Sequence, residues 1–452
     1  MPLYKEDNFL IINLNSQYTY FSFGLKDSLA PPQFTIPTVV YQDSENKQYL
    51  STESENTTPI YPIRESKIVD LDAFNALIKI ILSSVIQQHP IVTITSIPLL
   101  IIAPSLTWSR KQIEYITKYL FESLEITAFN ILDLSLASTF SFAGIVNSVV
   151  VYAGEDSIQI VPVLGYQSIK FASKYITGSG GKTITEELKI KFPNFNDEQI
   201  EELKISGIFE FLLEGEESIG EIDVDMDDND DELDVAKLVT EQEGNEDENQ
   251  PTKSNKELEK NFFIDPTNQE KVWLGKERFT TNSKIIDIIA SGIYQSLLKI
   301  NDLEKRQDCY DNIILVGSIF QIPGLKQLII TRLINEYLVR EPTANGQSSE
   351  KDIGSTIAKY QQTDVSNGDA DAQSNINQVP YSIKLCKLPD YFPEWKKPKN
   401  KQGSWHDCYF LGGEIYAKQI FSGSLHHHNK ELFVSSEMYE ERGPQSIWDV
   451  SI

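Results

Sequence analysis

The stretch ITGSGGKT, Ile176 to Thr183, holds the residues that cradle phosphates in many nucleotide-driven enzymes. In a phosphate loop of the form G-x-x-x-x-G-K-[ST], the first glycine lets the backbone turn its N–H groups inward. The lysine neutralises the phosphates and the hydroxyl holds magnesium. Counting back from Gly181, that first glycine falls on Ile176, a β-branched residue ill suited to the turn. No downstream strand aspartate of the matching metal-binding kind is evident. The stretch therefore reads as a glycine-rich turn into a helix, with Thr183 as N-cap and Glu186 at capping-box spacing.

Two other clusters could bind cations. DVDMDDNDDELD, Asp223 to Asp234, places carboxylates at positions 1, 3, 5 and 9 of a calcium loop. The sharp-turn glycine is replaced by Asp228 and the terminal bidentate glutamate by Asp234, and a dense acidic tract makes such matches by chance. His426, His427 and His428 lie in a Ser/Asn-containing stretch with no spaced Cys or acidic partner, which reads as an exposed loop. Cys309, Cys386 and Cys408 form neither a disulfide framework nor a metal spacing, as expected of a reducing compartment. No metal site is expected.

The elements that must position any chemistry fall into a repeated order. A chain of 452 residues exceeds one ordinary core, and 40% hydrophobic residues suffice for more than one. FLIINL (Phe9 to Leu14) is a short apolar run of the kind found in buried strands, followed by TYFSFGL. Helical spacing marks Asp72 to His89 and Trp108 to Leu124, with strands at Ile97 to Pro104 and in ITAFNIL. A short helix rich in small residues spans Ser135 to Ala143. The order then restarts: SVVVYAG (Ser148 to Gly154), SIQIVPVL as the second arm of a hairpin, and helices at Thr281 to Ile300 and Pro323 to Leu338 around the strand DNIILVGS. A twice-used hairpin-then-helices unit predicts two α/β lobes with a cleft between them.

The formal net charge is −26. From Glu214 to Glu248 there are seventeen acidic residues against one lysine, Lys237, so this segment alone holds −16 of it. A like-charged block of that density repels itself and buries no core. Residues 214–260 are therefore expected to be an acidic disordered insertion, and 341–379, rich in Ser, Gln, Asn and Gly, a polar one. Direct DNA binding is disfavoured, because phosphate contact needs clustered Lys and Arg. There is no run of eighteen apolar residues for a membrane span, and the beginning MPLYKEDNF does not read as a signal peptide.

The stretch from Asp407 to Ile452 resembles the end of actins. Phe410, Gly412, Gly413 and Ile415 match an aromatic-Ile-Gly-Gly-Ser-Ile helix entry, and Phe433, Tyr439, Gly443, Pro444 and Ile447 match the closing helix and Gly-Pro-Ser-Ile. The upstream lobes also align, so the likeness covers the chain apart from the two insertions. SIKLCKLPDYFPEWKK and the terminal IWDV resemble fungal actin-related proteins of the SWI/SNF and RSC chromatin remodellers. The resemblance implies an α/β actin-like (RNase H-like duplicated) fold. Its first lobe would be 1–146, with 420–452 packing back onto it, and its second 147–419. In this alignment Gly181, Lys182 and Ile184 sit on the Gly, Arg and Leu of an actin hinge into an outer subdomain, so ITGSGGKT lies beside a nucleotide cleft without cradling it.

Actins hold ATP with three turns. The first, Asp-Asn-Gly-Ser-Gly, aligns with Asn13, Leu14, Asn15, Ser16 and Gln17, which lack the acid and both glycines. The phosphate-contacting lysine aligns with Tyr20. The second turn, Asp-Ser-Gly-Asp-Gly, aligns with Tyr152, Ala153, Gly154, Glu155 and Asp156, so the metal-side acid becomes a tyrosine and the last glycine a carboxylate. The third, Gly-Gly-Thr, reads Gly317, Ser318, Ile319. The glutamine that orients the hydrolytic water aligns with Asp133. Each lost charge-assisted contact is worth about 1.5–3 kcal/mol. The expectation is weak or absent ATP binding and no ATPase activity.

Function would then lie on a surface. The resemblance implies a nuclear, non-catalytic remodeller subunit. It would grip the helicase/SANT-associated helix of a Snf2-family ATPase as a heterodimer with actin-related protein 7, tune the coupling of ATP hydrolysis to DNA translocation, and meet chromatin through other remodeller subunits. The groove positions that match are Thr139, Phe142, Tyr416, Gln419 and Ile420, where an amphipathic helix would dock on apolar side chains. The competing assignment for Phe142 and Ile420 is plain core. Two rival functions remain: an ATP-binding actin-fold ATPase that tolerates altered turns, and an acidic histone-binding protein acting through Glu214 to Glu248.

Overall fold

The computed structural model describes residues 4–25, 29–213, 255–339, 379–389, 391–396, 405–422 and 432–450. The calcium-like run at 223–234, the histidines at 426–428 and nearly all of both expected insertions lie outside them. By compactness the chain divides into two units: Met1–Ser179, Val316–Ser318 and Leu388–Ile452 in the first, and Gly180–Leu315 and Ile319–Lys387 in the second. The lobes expected above follow the duplicated hairpins, which is a different partition.

The first unit begins with β1 (Leu10–Leu14), buried at every residue because four of its five side chains are apolar. It pairs antiparallel with β2 (Tyr18–Phe23), placing Asn13 opposite Tyr20, and β3 (Phe34–Pro37) pairs with β2. A small sheet of β4 (Val40–Asp43), β5 (Tyr49–Leu50) and β6 (Thr57–Ile60) and a hairpin of β7 (Ile63–Arg64) and β8 (Lys67–Ile68) follow. Helix α1 (Leu71–Gln88) starts where the Asp70 carboxylate accepts the Ala73 N–H, and it buries Phe74, Leu77, Ile78, Ile81 and Val85 at helical spacing. After β9 (Leu99–Ala103), helix α2 (Arg110–Glu122) opens with a complete Ser109–Gln112 capping box. Ser109 is its N-cap, where the periodic pattern alone had put it inside the helix. Strand β10 (Ala128–Asp133) runs parallel to β9 and leads directly into α3 (Leu134–Phe140). The second hairpin, β11 (Asn147–Ala153) and β12 (Ser157–Leu164), sets Tyr152 opposite Gln159, and β13 (Gln167–Ser168) and β14 (Lys174–Thr177) add to β12.

In the second unit, α4 (Gly181–Lys191) corrects one expectation. The helix starts two residues before the expected cap, from Gly180 at φ +145, and the Thr183 N–H bonds the Gly180 carbonyl. Thr183 is thus inside the first turn and no Thr183–Glu186 capping box forms, because a glycine conformation has already begun the helix. The next helix, α5 (Asp197–Ile205), does carry such a box, Asn196 with Gln199. Strand β15 (Glu210–Phe211) precedes the acidic stretch. On its far side Asn255 to Lys260, expected to be disordered, are fixed in place. The fully buried Arg278 guanidinium donates to the carbonyls of Asn255 (2.6 Å), Leu258 (2.7 Å) and Gly275 (2.7 Å). Five guanidinium N–H groups in one plane suit a loop whose carbonyls turn inward. Then come β16 (Asn261–Ile264), β17 (Lys271–Leu274), β18 (Phe279–Thr280), α6 (Lys284–Leu297), α7 (Leu303–Asp311), β19 (Ile313–Val316) and α8 (Leu325–Tyr337).

The end of β19 delivers Val316 to Ser318 to the first unit, which the chain rejoins for good at Leu388. A helical turn α9 (Pro393–Lys396) precedes α10 (Cys408–Phe421), whose Gly412 lies against α3 so closely that a Cβ would sit 1.7 Å from the Ala137 carbonyl oxygen. Strand β20 (Val434–Ser435) pairs with β10 and completes a six-stranded sheet ordered β20-β10-β9-β1-β2-β3. After α11 (Ser436–Arg442), α12 (Ile447–Val450) inserts Ile447 and Val450 into the core that also holds Leu10, Ile12, Phe74 and Leu99. Among the described residues, no helix is long and apolar enough to cross a membrane.

Candidate nucleotide cleft and partner face

The turns of the two hairpins, β1–β2 and β11–β12, face one another across a small cavity. It is lined by Asn15 to Tyr18 and Tyr20 from the first hairpin and by Tyr152 and Gly154 to Ser157 from the second. Ser66, Gly317, Ser318, Asp407 and Tyr409 complete the wall. Its solvent-accessible volume is about 40 Å³. That is room for about three waters, at ~10–15 Å³ each.

Two sets of hydrogen bonds tie the turns. In the first, the Tyr152 hydroxyl donates to Asn15 Oδ1 (3.0 Å) and the Asn15 amide donates to Asn13 Oδ1 (2.8 Å). The Asn13 amide in turn donates to the Ile102 carbonyl (2.9 Å) on β9. In the second, the Ser66 N–H donates to Ser16 Oγ (3.1 Å), and its hydroxyl lies 3.1 Å from that of Ser157. One amide of each turn is used inside its own hairpin: Asn15 N–H bonds the Tyr18 carbonyl and Gly154 N–H the Ser157 carbonyl, both at 3.0 Å.

The wall is acidic and phenolic. Three carboxylates line it, Glu155, Asp156 and Asp407, and among the described residues no lysine or arginine does. Asp407 is buried, accepts the Tyr409 hydroxyl (3.1 Å) and pairs with His406 Nε2 (3.2 Å). Burial first, and the Asp407 carboxylate second, push the phenols of Tyr20, Tyr152 and Tyr409 well above the ordinary tyrosine value. They are neutral donors throughout the physiological range. A magnesium triphosphate needs the opposite set, with cations against its charge. These residues do not fit it.

The structure therefore brings Asn15, Ser16, Gln17, Tyr20, Tyr152, Gly154, Asp156, Gly317 and Ser318 into one place. Two expected members stand apart. Asn13 is fully buried one layer behind the wall. Asp133 is the N-cap of α3, its carboxylate accepting Ser135 N–H (2.8 Å), Ser135 Oγ (2.6 Å) and the Ser105 hydroxyl. Tyr18 and Ser157 join as neighbours of the aligned turns, whereas Ser66, in a turn where Glu65 and Ser66 both take positive φ, and Asp407 and Tyr409, hundreds of residues away, were not singled out by the sequence. The aligned Gly-Gly positions that follow Tyr409 were a pointer to the last two.

The expected groove residues are placed differently from the expectation. Thr139 bonds the Ser135 carbonyl and the Ser148 hydroxyl, and Phe142 packs beside Trp405. Tyr416 accepts from the Asn130 amide, and Ile420 is core. Of the five, only Gln419 is exposed. The accessible apolar side chains nearby are others. Phe140 stacks on Tyr416 (5.7 Å between ring centres, 6°) and meets the exposed Tyr166 on its other side (5.7 Å). Tyr166, at φ +59 beside the end of β12, and the exposed Val146 continue that face.

The sequence profile of the actin family matches residues 6–230, the segment that carries both hairpins. The chain belongs to the actin family. A Schizosaccharomyces pombe relative, the "SWI/SNF and RSC complexes subunit arp9", is 24% identical over 549 aligned residues, covering 99% of each chain. The "Putative actin-29" of Dictyostelium discoideum is 26% identical over 230 residues, 49% of this chain and 53% of that one.

Proposed function

We propose that this chain is a non-catalytic, actin-related subunit of a SWI/SNF–RSC type chromatin remodeller, working in the nucleus. The observation that carries the reading is the likeness to arp9 through 99% of both chains, whereas the likeness to actin-29 stops at about half of each. The chemistry of the cleft supports the non-catalytic part. Among the described residues three carboxylates and no cation face the place where actins bind phosphate, and in the resemblance Tyr152 takes the position of a metal-ordering acid. Each such replacement costs about 1.5–3 kcal/mol of binding, so several together lower affinity by orders of magnitude.

In this reading the chain has two actin-like lobes, 1–146 with 420–452 and 147–419. It holds the helicase/SANT-associated helix of a Snf2-family ATPase beside actin-related protein 7. The docking face is the half-buried Phe140, backed by the buried Tyr416, with the exposed Tyr166 and Gln419, because these side chains reach the surface where Thr139, Phe142 and Ile420 do not. An amphipathic helix lays its apolar side chains on such a surface.

The test is capture of the full chain by a helicase/SANT-associated helix peptide, with and without actin-related protein 7. Retention is expected, strengthened by the second protein, and Tyr166→Glu should weaken it. Failure to co-purify under either condition would sink the proposal. A calorimetric titration with Mg-ATP should show no saturable binding, and micromolar affinity would overturn the non-catalytic reading.

A further inference from the structure

The residues at the phosphate end of the cleft are bonded to one another. The phenol of Tyr152 on the second hairpin reaches Asn15 on the first, Asn15 reaches Asn13, and Asn13 reaches the backbone of β9, in links of 3.0, 2.8 and 2.9 Å. We propose that Tyr152, Asn15 and Asn13 form a latch that holds the two hairpin turns together in the place where a nucleotide would otherwise bridge them. The proposal rests on the reading that this cleft does not take Mg-ATP, and it adds what the cleft does instead.

The chemistry of each link is directional. A neutral phenol donates to an amide oxygen, the same amide donates onward, and the second amide donates to a carbonyl that is fixed in the sheet. Every amide is used once as donor and once as acceptor, so the bonds polarise one another along the series. Asn13 is fully buried and has no water to fall back on. Losing its partner would strand a polar group in the core. Tyr152 keeps its proton because burial and the Asp407 carboxylate both oppose ionisation. Length matters as well: the phenol spans from β11 to the opposite turn, which the shorter side chain of an aspartate cannot do. The serine bridge through Ser66 joins the same turns independently, so a variant lacking the Tyr152 link keeps the hairpins in place.

The test is hydrogen exchange by mass spectrometry on the full chain, followed in peptides covering 10–20 and 147–160. Tyr152→Phe keeps the ring and removes the donor. It should speed exchange in both peptides, about five- to tenfold for one lost hydrogen bond, and leave 284–297 unchanged. Asn15→Ala combined with Tyr152→Phe should exchange like Asn15→Ala alone, since both break the same link. Acceleration confined to 147–160, no acceleration, or multiplied effects in the double variant would each overturn the latch. Mg-ATP should change nothing in the unmodified chain. Slower exchange on adding it, with Tyr152→Phe still loosening both turns, would overturn the non-catalytic reading and leave the latch standing.

Discussion

The turn that joins β1 to β2 and the turn that joins β11 to β12 sit at equivalent places in two hairpins of one unit, yet they differ from the turns that the actin resemblance implies in opposite ways. The first has polar side chains in place of the acid and glycines, Asn13, Asn15, Ser16 and Gln17, of which Asn15 bonds Asn13 and Ser16 bonds Ser66. The second keeps Gly154 and exchanges its acid for the large phenol of Tyr152, whose hydroxyl lies close enough to meet, at 3.4 Å, a Cβ added to Gly154. One turn offers acceptors and the other reaches across to them. A buried polar group must find a partner whether or not a ligand is present. The two departures answer that need jointly, because the donor of the second turn supplies what the acceptor of the first lacks.

The largest expected effect breaks the second turn alone. Gly317 holds φ +117, and a Cβ there would lie 2.1 Å from the carbonyl oxygen of Ala153, at the end of β11. Gly317→Ala combines backbone strain with a clash and should cost about 3 kcal/mol or more. Denaturant unfolding would measure it. Exchange in residues 10–20 should rise less than in 147–160 if the two turns are separable.

Asn13→Ala breaks the first turn from behind. It leaves the Ile102 carbonyl and the Asn15 amide without their partner, at an expected cost of about 2 kcal/mol. Asn13→Asp should do no better despite restoring the acid of the actin pattern, since a fully buried carboxylate needs cations that the described lining lacks. A midpoint for Asn13→Asp at or above that of the unmodified chain would reverse the account of this turn.

How much of this was legible in the sequence follows from what each feature depends on. β1, α1 and the β11–β12 hairpin could be read from apolar runs and helical spacing, because burial sets those patterns locally. The phosphate-turn positions Asn15, Tyr20 and Tyr152 could be found through the family likeness. The link between them could not: nothing in the residue type of Tyr152 says that its hydroxyl ends 3.0 Å from Asn15. Ser66 was hidden for a different reason. Its place in the wall comes from two consecutive non-glycine residues at positive φ, which no sequence rule favours. Thr183 was misread because Gly180 starts the helix early, and the burial of Thr139, Phe142 and Ile420 follows from a small-residue helix packed under α10, which leaves Tyr166 exposed and Phe140 half-buried.

Alkaline pH offers a gentler way to separate the turns. The phenols of Tyr152, Tyr20 and Tyr409 are raised in the folded chain above their ordinary value of 10.0. The folded state thus holds protons that the unfolded state releases first. Their contribution is complete below pH 10 and is lost progressively as pH rises above it. Stability should therefore be level from neutral pH to about that point and fall beyond it. Tyr152→Phe should start lower and fall less steeply, having one fewer phenol to ionise. An equal slope in the variant would mean that Tyr152 carries none of the alkaline sensitivity.

Ser66→Ala should have the smallest effect, and the contrast with Tyr152→Phe is what gives it value. The substitution removes the hydroxyl that meets Ser157 and leaves the backbone N–H that meets Ser16, so half of the serine bridge persists. The neutral bond it deletes joins two small rotatable hydroxyls, and the expected cost is about 0.5 kcal/mol. The Tyr152 hydroxyl heads a series that ends at the fully buried Asn13, so its loss should exceed that of Ser66. Equal costs would mean that the turns are held by the sum of their bonds. A larger cost at Ser66 would move the hold from the amides to the serine bridge, where the turn of Glu65 and Ser66 would become its principal element.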